Sequence, residues 1–424
     1  MESVPDYSSA SLLQTKRYVL FWISSLLSNI GTWMQQVAQP WVILSISQSA
    51  FWVGLDSFAM NAPGWVFTLW GGVLADRFDR KKIILFCQSI QFTCVLFLLL
   101  FLVYGKIQIW MILLSSFLVG TTDALSMPAF QSIIPSLVSE QDIPRAIALN
   151  STQFNLSRIL GPALAGLVIA AYGATVCYTA NLISYIPFFL SLYWIYPRRG
   201  FKKDSLYSPH STSVMMVEFI EILKNRKFSI PLAVVLVTSF FCSPLVTFCP
   251  VLVKDFLKGS VDQLGWSMAA FGGGGVVGAL GSSFLSVKIT GSRIYSHGLA
   301  ILVGAILILT MMTHSLWTFD LMLVLSGITL TMSNTSVNSL LQRSAPNHFR
   351  GRVVSLFQLS LHGGISLGSL SAGALSSYWS VRSVLLIYGI LAVCSQLFLL
   401  FVGSSKSSRK KADSSDRPPK PALE

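Results

Sequence analysis

Charged side chains are scarce in this sequence: Asp, Glu, Lys and Arg make up 11% of its 424 residues, where soluble domains carry about a quarter. So sparse a set cannot cover the surface of a soluble fold. Acid is scarcer than base, with 17 Asp and Glu against 30 Lys and Arg. Six cysteines, Cys87, Cys94, Cys177, Cys242, Cys249 and Cys394, include no CxxC pair, which excludes the close spacing of metal and redox sites; they read as small apolar packing residues. No Walker A segment, HExxH pair or Ser-His-Asp grouping occurs, so neither an ATP site, a metal set, a cofactor nor an enzyme is expected. Gly273, Gly275 and Gly278 fit GxGxxG, but inside an apolar run with no strand before it, where close helix packing is expected in place of nucleotide binding. Asn150-Ser-Thr falls near a helix end expected on the cytoplasmic side, where glycosylation does not occur.

What the chain has in quantity is apolar length. Hydrophobic residues make up 53%, and runs of about 20 residues, the length that crosses a hydrocarbon core of roughly 30 Å, recur almost throughout. Twelve spans are expected, near 18–45, 50–75, 82–104, 107–137, 146–171, 174–196, 229–256, 262–287, 293–313, 316–341, 352–378 and 381–403. A bilayer admits only helices or closed barrels, and these runs lack strand alternation, so an all-α membrane protein follows. Lys16 and Arg17 precede an apolar run that continues to about Leu44 without a small-residue cleavage pattern, which reads as a first helix and not a signal peptide.

The net charge of +13 could suggest nucleic acid, so the placement of the basic residues decides. With the N-terminus inside, 25 of the 30 Lys and Arg fall in cytoplasmic segments and four, Lys106, Lys254, Lys258 and Arg382, outside; Arg158 lies within a helix. That asymmetry is the positive-inside rule and puts both termini in the cytoplasm. The basicity reports topology, and no nucleic-acid partner is expected.

Residues 197–228, basic and Ser/Pro-containing with an amphipathic piece from Val214 to Leu223, separate two halves. The expected organisation is a six-helix bundle over 1–197, a cytoplasmic linker over 198–228, a second bundle over 229–403, and a tail over 404–424 too polar and Pro/Ser-rich to fold alone. A constant shift of 207 residues superposes parts of the halves without gaps: Gly120 on Gly327, Ser126 on Ser333, Arg145 on Arg352, Gly161 on Gly368 and Gly166 on Gly373. The same shift puts Gly71 on Gly278 and Lys81 on Lys288. Such a repeat implies a pseudo-two-fold axis along the membrane normal with a substrate site between the halves.

After the second span the chain reads GGVLADRFDRKK, Gly71 to Lys82. It resembles the signature between helices 2 and 3 of the major facilitator superfamily, roughly G-x-L-A-D-R-x-G-R-[KR]; Gly72, Asp76, Arg77, Arg80 and Lys81 match, and Asp79 replaces the second Gly. The resemblance implies a cytoplasmic latch of Asp76, Arg77 and Arg80 against the start of helix 11 near Arg350 to Arg352, a tight turn with positive-inside charge being the alternative. SRILGPALAG, Ser157 to Gly166, resembles the family's Gly-Pro antiporter motif at Gly161, Pro162 and Gly166 and departs from it at Ser157 and Ala165; a packing kink would account for the same residues. Ser116 stands where that branch has a helix 4 arginine. GTWMQQVAQPWVI (31–43), MPAFQSIIPSLV (127–138) and SAPNHFRGRVVSL (344–356) are similar to the transmembrane-secretion-effector branch, which includes enterobactin exporters and macrolide efflux proteins. The family implies two pseudo-symmetric six-helix bundles, a bacterial inner membrane, and export of a bulky amphipathic small molecule such as a siderophore or drug. A proton is the expected coupling ion, and a monomer bathed in membrane lipid the expected assembly. A lysophospholipid or lipid flippase of the same fold, and a receptor that has lost transport, are the alternatives.

Charge inside the membrane is costly and usually functional. Asp123 and Arg158 both sit mid-span, roughly 20 Å deep at 1.5 Å per residue, and form either a pair exchanged during transport or a permanent ion pair. His362 and Asp56 are further coupling candidates, with hydrogen-bonded packing and an interfacial position as their alternatives. Polar stripes run along helix 1 (Asn29, Thr32, Gln36, Gln39) and helix 10 (Thr331, Asn334, Asn338). The family's helices 1, 4, 7 and 10 line a central cavity, so the resemblance makes these stripes substrate contacts, with Trp33 and Phe240 as aromatic walls.

Overall fold

A computed structural model describes residues 16–194, 220–285, 289, 292–346 and 350–415. The linker expected over 198–228 lies outside them up to residue 219. Helix α1 is Lys16–Ser47. The second span divides into α2, Ala50–Asn61, and α3, Pro63–Arg77, because Pro63 lacks the N–H that would continue α2. Next come α4 (Arg80–Val103), α5 (Ile109–Leu137), α6 (Ile143–Tyr172) and α7 (Ala174–Trp194). The seventh span is α8, Arg226–Cys242, followed by two short pieces, α9 (Pro244–Thr247) and α10 (Cys249–Val251), and a π turn over Leu252–Phe256. Pro244 and Pro250 account for the breaks. The rest are α11 (Val261–Phe284), α12 (Arg293–Met312), α13 (Leu316–Ser344), α14 (Arg350–Leu375) and α15 (Val381–Ser415).

Among the described residues, ten helices are long and apolar enough to cross a membrane. The first span falls outside that set because Asn29, Gln35, Gln36 and Gln39 lower its mean hydropathy, and the second because it is divided; the architecture is consistent with the twelve expected. The last helix carries the backbone to Ser415, past the point where the tail was expected to start. Nothing between Ser404 and Ser415 breaks a helix, since that stretch has no Pro or Gly and is rich in Lys and Arg. Residues 416–424 lie outside the described residues.

The repeat is built into the helix starts: α13, α14 and α15 each begin 207 residues after α5, α6 and α7. The matched glycines occupy matched contacts. A Cβ on Gly120 would collide with the Met60 carbonyl of the second span, and one on Gly327 with the Phe271 carbonyl of the eighth. Gly161 meets α1 at Trp33 as Gly368 meets α8 at Phe240.

The two largest contacts between the halves among the described residues, α6 with α11 and α2 with α14, are also related by the repeat. A Cβ on Gly166 would strike the Cα of Gly265, while Gly373 comes against Gly54 and Phe51. Small residues let these backbones approach. Both contacts lie toward the end of the bundle remote from Arg17, Arg80, Arg145, Arg293, Arg343 and Arg352. At the basic end α3 touches α14 only sparsely. The halves are therefore closed together at the end poor in basic residues and parted at the basic end.

Candidate functional site: a cleft between the halves

Helix α1 distributes its polar side chains among its neighbours. Gln35 Oε1 accepts from Asn181 Nδ2 of α7 at 2.7 Å. Gln39 Nε2 donates to both oxygens of Asp56 at 3.0 and 2.9 Å, and Ser116 Oγ of α5 donates to the same carboxylate at 2.6 Å. Asp56 is thus buried and held by three hydrogen bonds from two side chains; a buried carboxylate needs such donors to offset lost hydration. Trp33 faces α6. Asn29 and Gln36 share the remaining face of α1, and Gln36 is exposed. That face looks toward the gap between α5 and α6, which touch only sparsely.

Across the gap α5 presents Asp123, Met127 and Gln131, spaced i, i+4 and i+8 and all exposed. A carboxylate and an amide at mid-membrane are not left facing hydrocarbon, so this stripe lines the cleft. Asp123 Oδ1 accepts from Gln91 Nε2 at 2.7 Å, and Gln91 is itself held by Thr122 Oγ1 at 3.1 Å and approached by the Tyr185 hydroxyl at 3.4 Å. No Lys or Arg pairs with Asp123 among the described residues. The expected Asp123–Arg158 ion pair does not form here: the Arg158 guanidinium lies over the Trp33 ring, 5.5 Å from its centroid. Equal depth on consecutive helices did not bring the two together because the cleft separates them.

From the second half, α13 contributes Thr335, Asn338, Ser339, Gln342 and Arg343 around a cavity of about 470 Å³. Asn338 Oδ1 accepts from Gln342 Nε2 at 3.0 Å. Thr331 instead packs on Gly275 of α11, and the buried Oδ1 of Asn334 has no hydrogen-bond partner among the described residues. Phe240 is committed within its own half, stacked on Tyr388 at 5.9 Å and edge-on to Phe241 at 4.9 Å, so it is no wall of the cleft. His362 Nδ1 stands 3.4 Å from Asn61 Oδ1, bridging α14 to the break in the second span. Thr32 hydrogen-bonds back to Ser28 O and lies beside the Tyr185 hydroxyl.

At the basic end, Asp79 caps α4, its carboxylate accepting from Lys81 N at 2.9 Å. The residue that departs from the superfamily signature thus has a local task, since an aspartate N-cap satisfies an orphan N–H of the first turn. Arg80 donates to Ser132 O at 3.2 Å and Lys81 to Tyr193 O at 3.1 Å, tying the loop to α5 and α7. Gly72 faces open space and Arg77 is exposed. The side chains of Asp76 and Arg350 lie outside the described residues, so the latch does too. In the Gly-Pro motif, Gly161 and Gly166 stand at the contacts with α1 and α11, and Pro162 is buried between them. Gln35, Gln91, Asn181 and Tyr185 escaped the sequence reading, and Ser116 entered it only as the place of a missing arginine; a glutamine or asparagine within an apolar run is the signal that marks most of them.

Two helical halves joined at one end around a polar cleft define a membrane transporter of the major facilitator type. Over residues 7–424 the chain matches the family model described as transmembrane secretion effector, and it belongs to that family. It is 24% identical over 388 residues to the staphyloferrin A transporter of Staphylococcus aureus (strain NCTC 8325 / PS 47), covering 90% of this chain and 95% of that one. It is 21% identical over 392 residues to macrolide efflux protein A of Streptococcus pyogenes, covering 90% and 96%. Among solved structures it is similar to the nucleoside transporter NupG, with a TM-score of 0.74 at 12% identity over 91% of this chain and 99% of that chain. These relatives are transporters and not enzymes.

Proposed function

We propose that the chain is a proton-coupled exporter of a bulky amphipathic small molecule, a siderophore or drug-like compound, working by alternating access in a bacterial inner membrane. The observation that carries this reading is Asp123: a carboxylate at mid-membrane, exposed on the cleft stripe, held by one amide and paired with no cation among the described residues. Such a group can take a proton from cleft water in one state of the cycle and release it in the other. Asp56, enclosed by Gln39 and Ser116, serves in this reading as the fixed polar anchor of the same half, and His362 as a contact between the halves that is remade in each cycle. With no Walker A segment for ATP, uphill movement draws on the ion gradient. The basic end is cytoplasmic under the positive-inside rule, so the halves as described are parted toward the cytoplasm, and the chain works as a monomer.

The relatives' names supply the first substrates to try, staphyloferrin A and a macrolide. In proteoliposomes holding a pH-sensitive dye, adding the transported compound on the cytoplasmic side collapses an imposed proton gradient. Movement of substrate with no proton flux of either sign counts against coupling.

A further inference from the structure

Arg158 stands near the middle of α6, with about fourteen residues of helix on either side. A guanidinium does not lose its proton at any physiological pH, so this is a fixed positive charge at the depth where charge is most costly. Its one recorded partner among the described residues is the ring of Trp33, which Phe154 supports edge-on at 6.2 Å. No carboxylate faces it from α1, α5, α6 or α11 among the described residues: Asp123 is held by Gln91, Asp56 by Gln39 and Ser116, and α11 brings the backbone of Gly272 against the Arg158 carbonyl. Beside it on the cleft face of α1, Asn29 and Gln36 likewise have no hydrogen-bond partner among the described residues. A planar cation and an indole therefore meet on α1 at Trp33, about one helical turn from each of two amides that make no hydrogen bond within the described residues.

We propose that Arg158, with Trp33, Gln36 and Asn29, is the subsite that receives a carboxylate group of the transported molecule. The guanidinium fork matches a carboxylate in two parallel hydrogen bonds. The indole holds the fork from behind and offers its remaining surface to the apolar part of the ligand, and the amides can take hydroxyl or carbonyl groups alongside. This assignment rests on the cleft being the transport pathway and is independent of which ion drives it. It separates two duties within one half, Asp123 for the proton and Arg158 for the anion.

The test is equilibrium binding to full-length protein in nanodiscs, using citrate, tricarballylate and benzoate, each against its neutral ethyl ester. The carboxylates are expected to bind and the esters to bind at least tenfold more weakly. Arg158→Gln is expected to weaken carboxylate binding by roughly thirtyfold or more, as loss of a desolvated charge partner does. Arg158→Lys, which keeps the charge and loses the fork, is expected to fall between and covers the case in which the glutamine variant does not fold. Equal binding of acids and esters, no binding of any of the three acids, or unchanged affinity in both Arg158 variants would overturn the assignment. Arg158-dependent binding without proton-driven transport in proteoliposomes would instead retain this subsite and remove the coupling.

Discussion

The two halves share a frame and differ in chemistry. Shifted by 207 residues, the glycines at the close crossings recur, Gly120 with Gly327, Gly161 with Gly368 and Gly166 with Gly373. The mid-membrane charges and the amide that holds Asp56 do not: Asp123 corresponds to Leu330, Arg158 to Ile365 and Gln39 to Val246, whereas the cleft amide Gln131 recurs as Asn338. A helix crossing has to be made in both halves, and a side chain there clashes in either one. A proton or anion site is needed once, and a second mid-membrane charge would add its own desolvation cost. The frame is thus under constraint twice, and in the proposed reading the coupling and anion chemistry lies in the first half.

The largest effect is expected where the halves are alike. Gly120→Leu and Gly327→Leu each drive a side chain into a facing carbonyl, and overpacking of several atoms there should cost about 3 kcal/mol or more. Both variants should give little monodisperse protein in detergent; tolerance of one with loss of the other would break the symmetry of the frame. Next comes a position where they differ. Gln39→Leu leaves the buried Asp56 with Ser116 as its remaining donor and should cost about 2–4 kcal/mol, read as a lower thermal midpoint, whereas Val246→Leu at the matched position should cost less than about 1.5 kcal/mol. The smallest effect belongs to the loop of the first half. Asp79→Ala removes the cap of α4 and should cost about 1 kcal/mol, and Asp79→Gly, the superfamily's own residue there, only a few tenths. A larger loss for glycine than for alanine would contradict the capping assignment.

The frame was legible in the sequence because it is written in length and repetition. All twelve expected spans begin and most end within a few residues of helices in the structure, and the 207-residue shift reappears in the starts of α13 to α15. The breaks at Pro63, Pro244 and Pro250 were not drawn, since an apolar run reads as continuous whether or not its backbone is. The site was legible in its residues and not in its pairings. Asp123 and Arg158 stood out as mid-span charges, but depth fixes one coordinate only, and the direction each side chain takes around its helix depends on which neighbours pack there. The stripe on α1 reads as one face, yet Gln39 turns to Asp56 while Gln36 turns to the cleft. Phe240 occupies the place of Trp33 in the repeat and serves packing in place of recognition, because Tyr388 fills the space beside it.

The central claim is that proton coupling resides in the first half alone. Its most direct measurement is dye-reported proton flux in proteoliposomes, driven by a transported substrate, for Asp123→Asn and for Leu330→Asn. The account predicts that Asp123→Asn abolishes substrate-driven proton movement and that Leu330→Asn, at the same place in the repeat, leaves it within about twofold of the unaltered protein. Full proton flux in Asp123→Asn would contradict it.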